Sequence, residues 1–134
     1  MTKLDEIEGV GAAFVERLKG AGVDSIEELL TVAGPAAGRK KLASASSIEE
    51  RKLLEWVNHA DLMRLKGVGS EFADLLEAAG IDSAPELATR NAENLHAKLA
   101  EVNAARKLVR REPSLAETQR WIAEAKTLES VVTH

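Results

Sequence analysis

Apolar side chains recur at helical spacing in two stretches that can be laid over one another. Phe14, Leu18 and Ala21 stand at i, i+4 and i+7, and Phe72, Leu76 and Ala79 repeat the pattern. Such spacing gathers apolar groups into one stripe, so each stretch predicts a helix with that stripe turned inward. Trp121, Ala125 and Leu128 carry the same signature near the end of the chain. Breaks fall at Gly34-Pro35 and Glu112-Pro113, because proline pushes the residue before it out of the helical region. From Trp56 to Lys66 the pattern reads as unbroken helix running into the second stretch, and no low-complexity or linker-like run separates the halves. The expectation is an all-α fold in a single compact body over residues 1–134.

The two stretches belong to an internal repeat. Residues 7–30 overlie residues 65–88 without gaps, and 11 of the 24 positions are identical, where average residue usage gives roughly two by chance. Each copy opens with Gly-Val-Gly, a turn in which glycine takes positive φ and lets another backbone or a ligand approach closely. Gly22 and Gly80 follow the helix where a left-handed residue ends it. Ser25-x-x-Glu28 and Ser83-x-x-Glu86 then read as capping boxes that start a second helix, with Pro85 harmless in its first turn. The repeat extends less regularly, as Ser47-Ile48 with Trp56 resembles Ser114-Leu115 with Trp121 at an offset drifting from 58 to 65, which inserted loop residues explain. The repeats span about residues 4–60 and 61–130, pseudo-symmetric, with additional packing helices.

Composition narrows the chemistry. The chain contains no Cys or Tyr, two Phe and two Trp, so the core must be aliphatic. The absence of thiols excludes disulfides and thiolate catalysis, and His59, His96 and His134 are too scattered to suggest a metal site. No residue set reads as a nucleophile with its base, so no enzyme activity and no cofactor are expected. Neither a signal-like start nor a run of roughly 20 apolar residues is present, which points to a soluble, cytoplasmic protein without membrane contact. Net charge is −4, shared evenly between 8 basic and 10 acidic residues over 1–58 and 10 and 12 over 59–134. Neither half is a polycation, which counts against strong non-specific binding to nucleic acid but allows local basic patches.

The order of Gly-Val-Gly turn, helix, Ala-Gly-[Val/Ile]-Asp-Ser and second helix looks like the helix-hairpin-helix motif of DNA-repair and recombination proteins. Nearly the whole chain resembles a bacterial family, the domain of unknown function 4332. The resemblance runs through Trp56-Val-Asn-His-Ala-Asp-Leu-Met-Arg-Leu-Lys-Gly-Val-Gly69, Leu75-Leu-Glu-Ala-Ala-Gly80, Glu86-Leu-Ala-Thr-Arg-Asn91, Leu95-His-Ala-Lys98 and the end Trp121-Ile-x-x-Ala-Lys126. That family carries no established activity. The helix-hairpin-helix resemblance implies amides of the glycine turn holding a backbone phosphate, helped by the positive end of the following helix.

In the second copy Arg64 and Lys66 precede Gly67, Val68 and Gly69, and Ser70 adds a hydroxyl, whereas Glu71 would itself satisfy the dipole. In the first copy Asp5, Glu6 and Glu8 surround Gly9 and Gly11 and would repel a phosphate, so that turn reads better as structural or as a contact for a protein partner. Two further basic clusters are Arg39-Lys40-Lys41 and Arg106-Lys107 with Arg110-Arg111. On a continuous helix 106/110 and 107/111 would share a face, making either a phosphate-contacting strip or a solvated surface. Trp56 and Trp121 read as core residues rather than base-stacking platforms. Two functions therefore stand open: a non-catalytic module that contacts DNA backbone phosphates without reading sequence, and an interaction or scaffold domain that engages a protein partner or its own copy through the acidic first turn.

Overall fold

A computed structural model describes residues 2–134. All elements among them are helical apart from an isolated antiparallel bridge between Lys3 and Ser25. The chain divides into two compact units: one runs from the start of the described chain to Asp61 and includes Val131–His134, and the other is Leu62–Ser130. No helix among the described residues is long and apolar enough to cross a membrane.

In the first unit a short 3-10 turn, Leu4–Glu6, leads to α1 (Ala12–Gly20), α2 (Ile26–Ala33), α3 (Ala36–Ser46) and α4 (Glu50–Leu62). Gly9 turns the chain at φ 92°, and Gly11 precedes α1 in extended conformation. Only the first glycine of the Gly-Val-Gly turn needs positive φ; the second serves as the helix cap. At the far end Gly22 sits at φ 90°, and the bonds Val23 N–H to Leu18 O (2.8 Å) and Gly22 N–H to Lys19 O (3.0 Å) close the helix. That pairing satisfies carbonyls a helix end leaves open. Leu18 beneath it is fully buried and Phe14 half-buried, in keeping with the inward stripe. The Ser25 hydroxyl accepts the Glu28 amide at 3.1 Å and donates to the Glu28 carboxylate at 3.4 Å, so the expected cap is made while the reciprocal carboxylate-to-amide bond is not.

The end of the chain returns to this unit. Thr133 donates its amide to Gly34 O at 2.9 Å, and its hydroxyl accepts the Ala36 amide at 2.8 Å. This caps α3, whose preceding residue Pro35 has no side-chain oxygen to offer.

The second unit contains α5 (Ser70–Ala78), α6 (Ala84–Ala88), α7 (Ala92–Arg106) and α8 (Leu115–Ala125). Its local geometry follows the same rules: Gly67 at φ 86°, Gly69 extended before α5, Gly80 at φ 94°, and Ile81 N–H to Leu76 O at 3.0 Å. Ser83 does not cap α6 with its side chain; Glu86 instead accepts the Asp82 amide at 3.3 Å and pairs with Arg90 at 2.7 Å. Pro85 does sit in the first turn. α8 carries the complete capping box, Ser114 with Glu117.

Trp121 is 2% exposed and forms one cluster with Leu62, Leu65, Leu76, Leu87 and Leu99. Burying a large apolar side chain is worth roughly 1.5–3 kcal/mol, so such residues dominate the unit's stability. Trp56 is buried likewise in the first unit. Each indole packs on the phenylalanine of its turn: Phe14 and Trp56 lie edge-on with centroids 5.0 Å apart, and Phe72 and Trp121 are tilted at 5.3 Å. Each also meets its turn glycine: the indole nitrogen lies 3.9 Å and 3.7 Å from where a Cβ on Gly9 and Gly67 would stand.

Two expectations need correction. The helix through Trp56 ends at Leu62, with Leu65 N–H bonded to Leu62 O, and does not reach Lys66. Although Ser47 and Ser114 occupy similar places in the repeat, Ser47 ends α3 at φ 58° whereas Ser114 caps the start of α8. α7 stops at Arg106 and Lys107 turns left-handed at φ 52°, so Arg106, Lys107, Arg110 and Arg111 do not share a helix face.

Candidate nucleic-acid interface

The longest departure from the repeat pattern is the connection after the third helix of each unit. α3 joins α4 through residues 47–49, whereas α7 joins α8 through residues 107–114. The longer loop carries Arg110 and Arg111, and a buried polar side chain fixes its course. Asn103, on the last turn of α7 and 8% exposed, accepts the Val109 amide at 2.9 Å and donates to the Val109 carbonyl at 3.1 Å. These two bonds satisfy backbone groups that neither helix could pair. They seat Val109 inward and leave Arg110 and Arg111 exposed beside it.

Arg111 is held on two sides. Its Nη1 and Nη2 donate to the two carboxylate oxygens of Glu117 at 2.7 and 3.0 Å, and the guanidinium carbon lies 5.5 Å from the centre of the Phe72 ring. Glu117 accepts the Ser114 amide as well, at 3.0 Å. The Arg111 guanidinium, and then the Ser114 amide, hold the Glu117 carboxyl down to about 2, and the same pair raises the Arg111 pKa. The pair is a charge-assisted fork that sets the direction of Arg111. Among the described residues Arg110 has no ion-pair partner.

The loop and the second glycine turn meet around a cavity of about 440 Å³. Its walls are Gly67, Gly69, Ser70, Glu71 and Phe72 on one side and Val109, Arg110 and Arg111 on the other. Gly69, before α5, offers no side-chain cap, and the Ala73 amide bonds to the Gly69 carbonyl at 2.9 Å. Lys66 is exposed and its amide donates to Glu124 at 3.1 Å; Val68 is buried, with its amide bonded to Leu65 O. Arg64 lies apart from the cavity walls and donates to the Glu129 carbonyl at 3.0 Å. Arg106 and Lys107 are exposed but do not line the cavity.

The first basic cluster is not a cluster in space. Arg39 is 6% exposed, and its guanidinium donates to the carbonyls of Ala33 (3.1 Å), Gly34 (2.9 Å) and Thr133 (2.7 Å). It is a buried strut for the returning chain end, whereas Lys40 and Lys41 are exposed on α3. Around the first turn, Asp5, Glu6 and Glu8 are exposed as expected. Asp5 shares a cavity of about 280 Å³ with Lys3, Lys19 and Asp24, so this surface carries both signs of charge. Arg17 and Lys52 lie over the Phe14 ring at 5.6 and 5.7 Å.

Val109, Asn103 and Glu117 complete this site and were not singled out from sequence, and Phe72 was read there only as a core residue. The drift of the repeat offset was the available signal, since it marks an insertion between α7 and α8. The family model for the domain of unknown function (DUF4332) matches residues 8–128. No curated protein and no solved structure matches the chain.

Proposed function

Starting from the fact that the chain belongs to the domain of unknown function 4332 family, we propose that it is a non-catalytic nucleic-acid-binding module of the helix-hairpin-helix type. Its second glycine turn and the 107–114 loop form the contact surface. The observation that carries this reading is the shared cavity, which sets the glycine turn before α5 beside Arg110 and Arg111. A helix start and arginine guanidinium groups are both suited to phosphate oxygens. Lys66 adds an exposed cation next to the same turn in sequence. Arg39 takes no part, being committed to three carbonyls.

Fluorescence-anisotropy titration of the full chain with short duplex and single-stranded DNA at low salt tests the reading. The expected result is salt-dependent binding that weakens in Lys66→Glu and in Arg110→Glu. Absence of binding, or binding unchanged in both variants, overturns it.

A further inference from the structure

We propose that the cavity of the second unit receives an unstacked base of single-stranded nucleic acid, laid against the Arg111 guanidinium, with the adjoining phosphate at Arg110. The inference rests on the nucleic-acid reading of this site and specifies which state of the strand enters it.

Size is the first argument. A volume of about 440 Å³ falls within the roughly 300–1,000 Å³ typical of pockets for small organic ligands. A backbone phosphate gripped by a few amides needs far less room.

Charge is the second. Arg110, Arg111 and Glu71 line the cavity, and Glu117 is bonded to Arg111, so the formal charges sum to zero. Such a site attracts one phosphate through Arg110 but gains little from a run of them, and its occupant must be held by contact area. Phe72 and Val109 supply apolar wall, and Gly67 and Gly69 bring no side chain to fill the space.

The third argument is the state of Arg111. Glu117 takes one N–H of each terminal nitrogen, the Glu112 carbonyl lies 3.5 Å from Nη1, and the guanidinium carbon stands 5.5 Å over the Phe72 ring. With its terminal nitrogens tied to Glu117, Arg111 keeps its Nε–H and a flat side to offer a ligand, and guanidinium planes stack on exposed bases. Trp121 backs Phe72 at 5.3 Å, so the plate rests on the buried core of the unit. Bases inside a duplex have no free face to offer, which makes an unpaired strand the fitting ligand.

The test measures anisotropy of the full chain with a short oligothymidylate, an abasic strand of equal length and a duplex of equal length, across a salt series. Wild type is expected to bind the thymidylate about tenfold tighter than the abasic strand, as base stacking contributes on that scale. Arg111→Lys keeps the charge and removes the plane; it should abolish that ratio while leaving the salt dependence intact. Arg110→Ala should preserve the ratio and lower the salt slope by about one phosphate contact. Both side chains are exposed, and a circular-dichroism melt checks each variant's fold. Equal binding of thymidylate, abasic strand and duplex by wild type, or an undiminished ratio in Arg111→Lys, overturns the inference and leaves the broader reading standing. Failure of every probe to bind overturns both.

Discussion

Replacing Asn103 by Ala removes the two bonds, at 2.9 and 3.1 Å, that tie the Val109 backbone to the last turn of α7. Each buried backbone group stripped of its partner costs about 1–3 kcal/mol. Asn103 is 8% exposed, close enough to the surface for water to reach part of the vacated space, so the expected total is about 2–3 kcal/mol. For a unit of this size that corresponds to a fall in melting temperature of roughly 10–20 °C, read by far-UV circular dichroism, and hydrogen exchange at the Val109 amide should accelerate. Asn103→Asp sharpens the test. The carboxylate still accepts the Val109 amide, but it turns a second oxygen toward the Val109 carbonyl in place of a donor. At neutral pH it should therefore destabilise at least as much as Ala, and regain stability as acid protonates the carboxyl and restores an O–H donor. DNA affinity should fall in both variants, since Val109 lines the cavity and its anchoring places Arg110 and Arg111. An Asn103→Asp protein as stable as wild type at neutral pH would refute the paired-bond reasoning.

Gly67→Ala should cost about 1–2 kcal/mol because its φ of 86° suits only glycine well. Gly69→Ala should change stability by less than about 0.5 kcal/mol, its backbone being extended with nothing within 4 Å of the new Cβ, yet it should weaken binding by narrowing the cavity. Equal effects of the two substitutions on the urea midpoint would contradict that distinction. Arg39→Met should destabilise by about 3 kcal/mol through loss of three carbonyl bonds, and should strip protection from the Thr133 amide, whereas Lys40→Ala and Lys41→Ala stay near neutral. An exchange rate at Thr133 unaltered in Arg39→Met would show that the tail is held by other means. Glu117 has its folded pKa depressed to about 2, so its pairing with Arg111 stabilises the fold above the ordinary value of 4.5 and is lost as pH falls from there through about 2. Glu117→Gln should flatten the dependence of urea midpoint on pH across that window, modestly because Arg111 is 64% exposed, and an unchanged profile would count against the pair.

Local signals settled much of this protein in advance. The turn glycines at 9, 22, 67 and 80, the breaks at Pro35 and Pro113 and the helical stripes each depend on residues within a few positions of one another, so sequence alone determines them. The two tryptophans were legible as core for the same reason, since their apolar neighbours recur at helical spacing. Capping was legible only as a possibility: Ser25 and Ser83 have the same glutamate three residues on, yet only Ser25 accepts the amide of that glutamate. The basic clusters were misread because charge spacing along a chain says nothing about where the backbone leaves the helix. Lys107 turns left-handed, Asn103 folds the loop back, and Arg111 comes to rest over Phe72, 39 positions earlier. Arg39 is the extreme case, since its partner Thr133 lies 94 residues away. The sequence determined helices, turns and a duplicated frame, because these answer to short-range sterics and hydrogen bonding. Which arginines are buried struts and which line the cavity was decided only by tertiary structure, where long-range packing and the pairing of backbone groups select among side chains of the same charge.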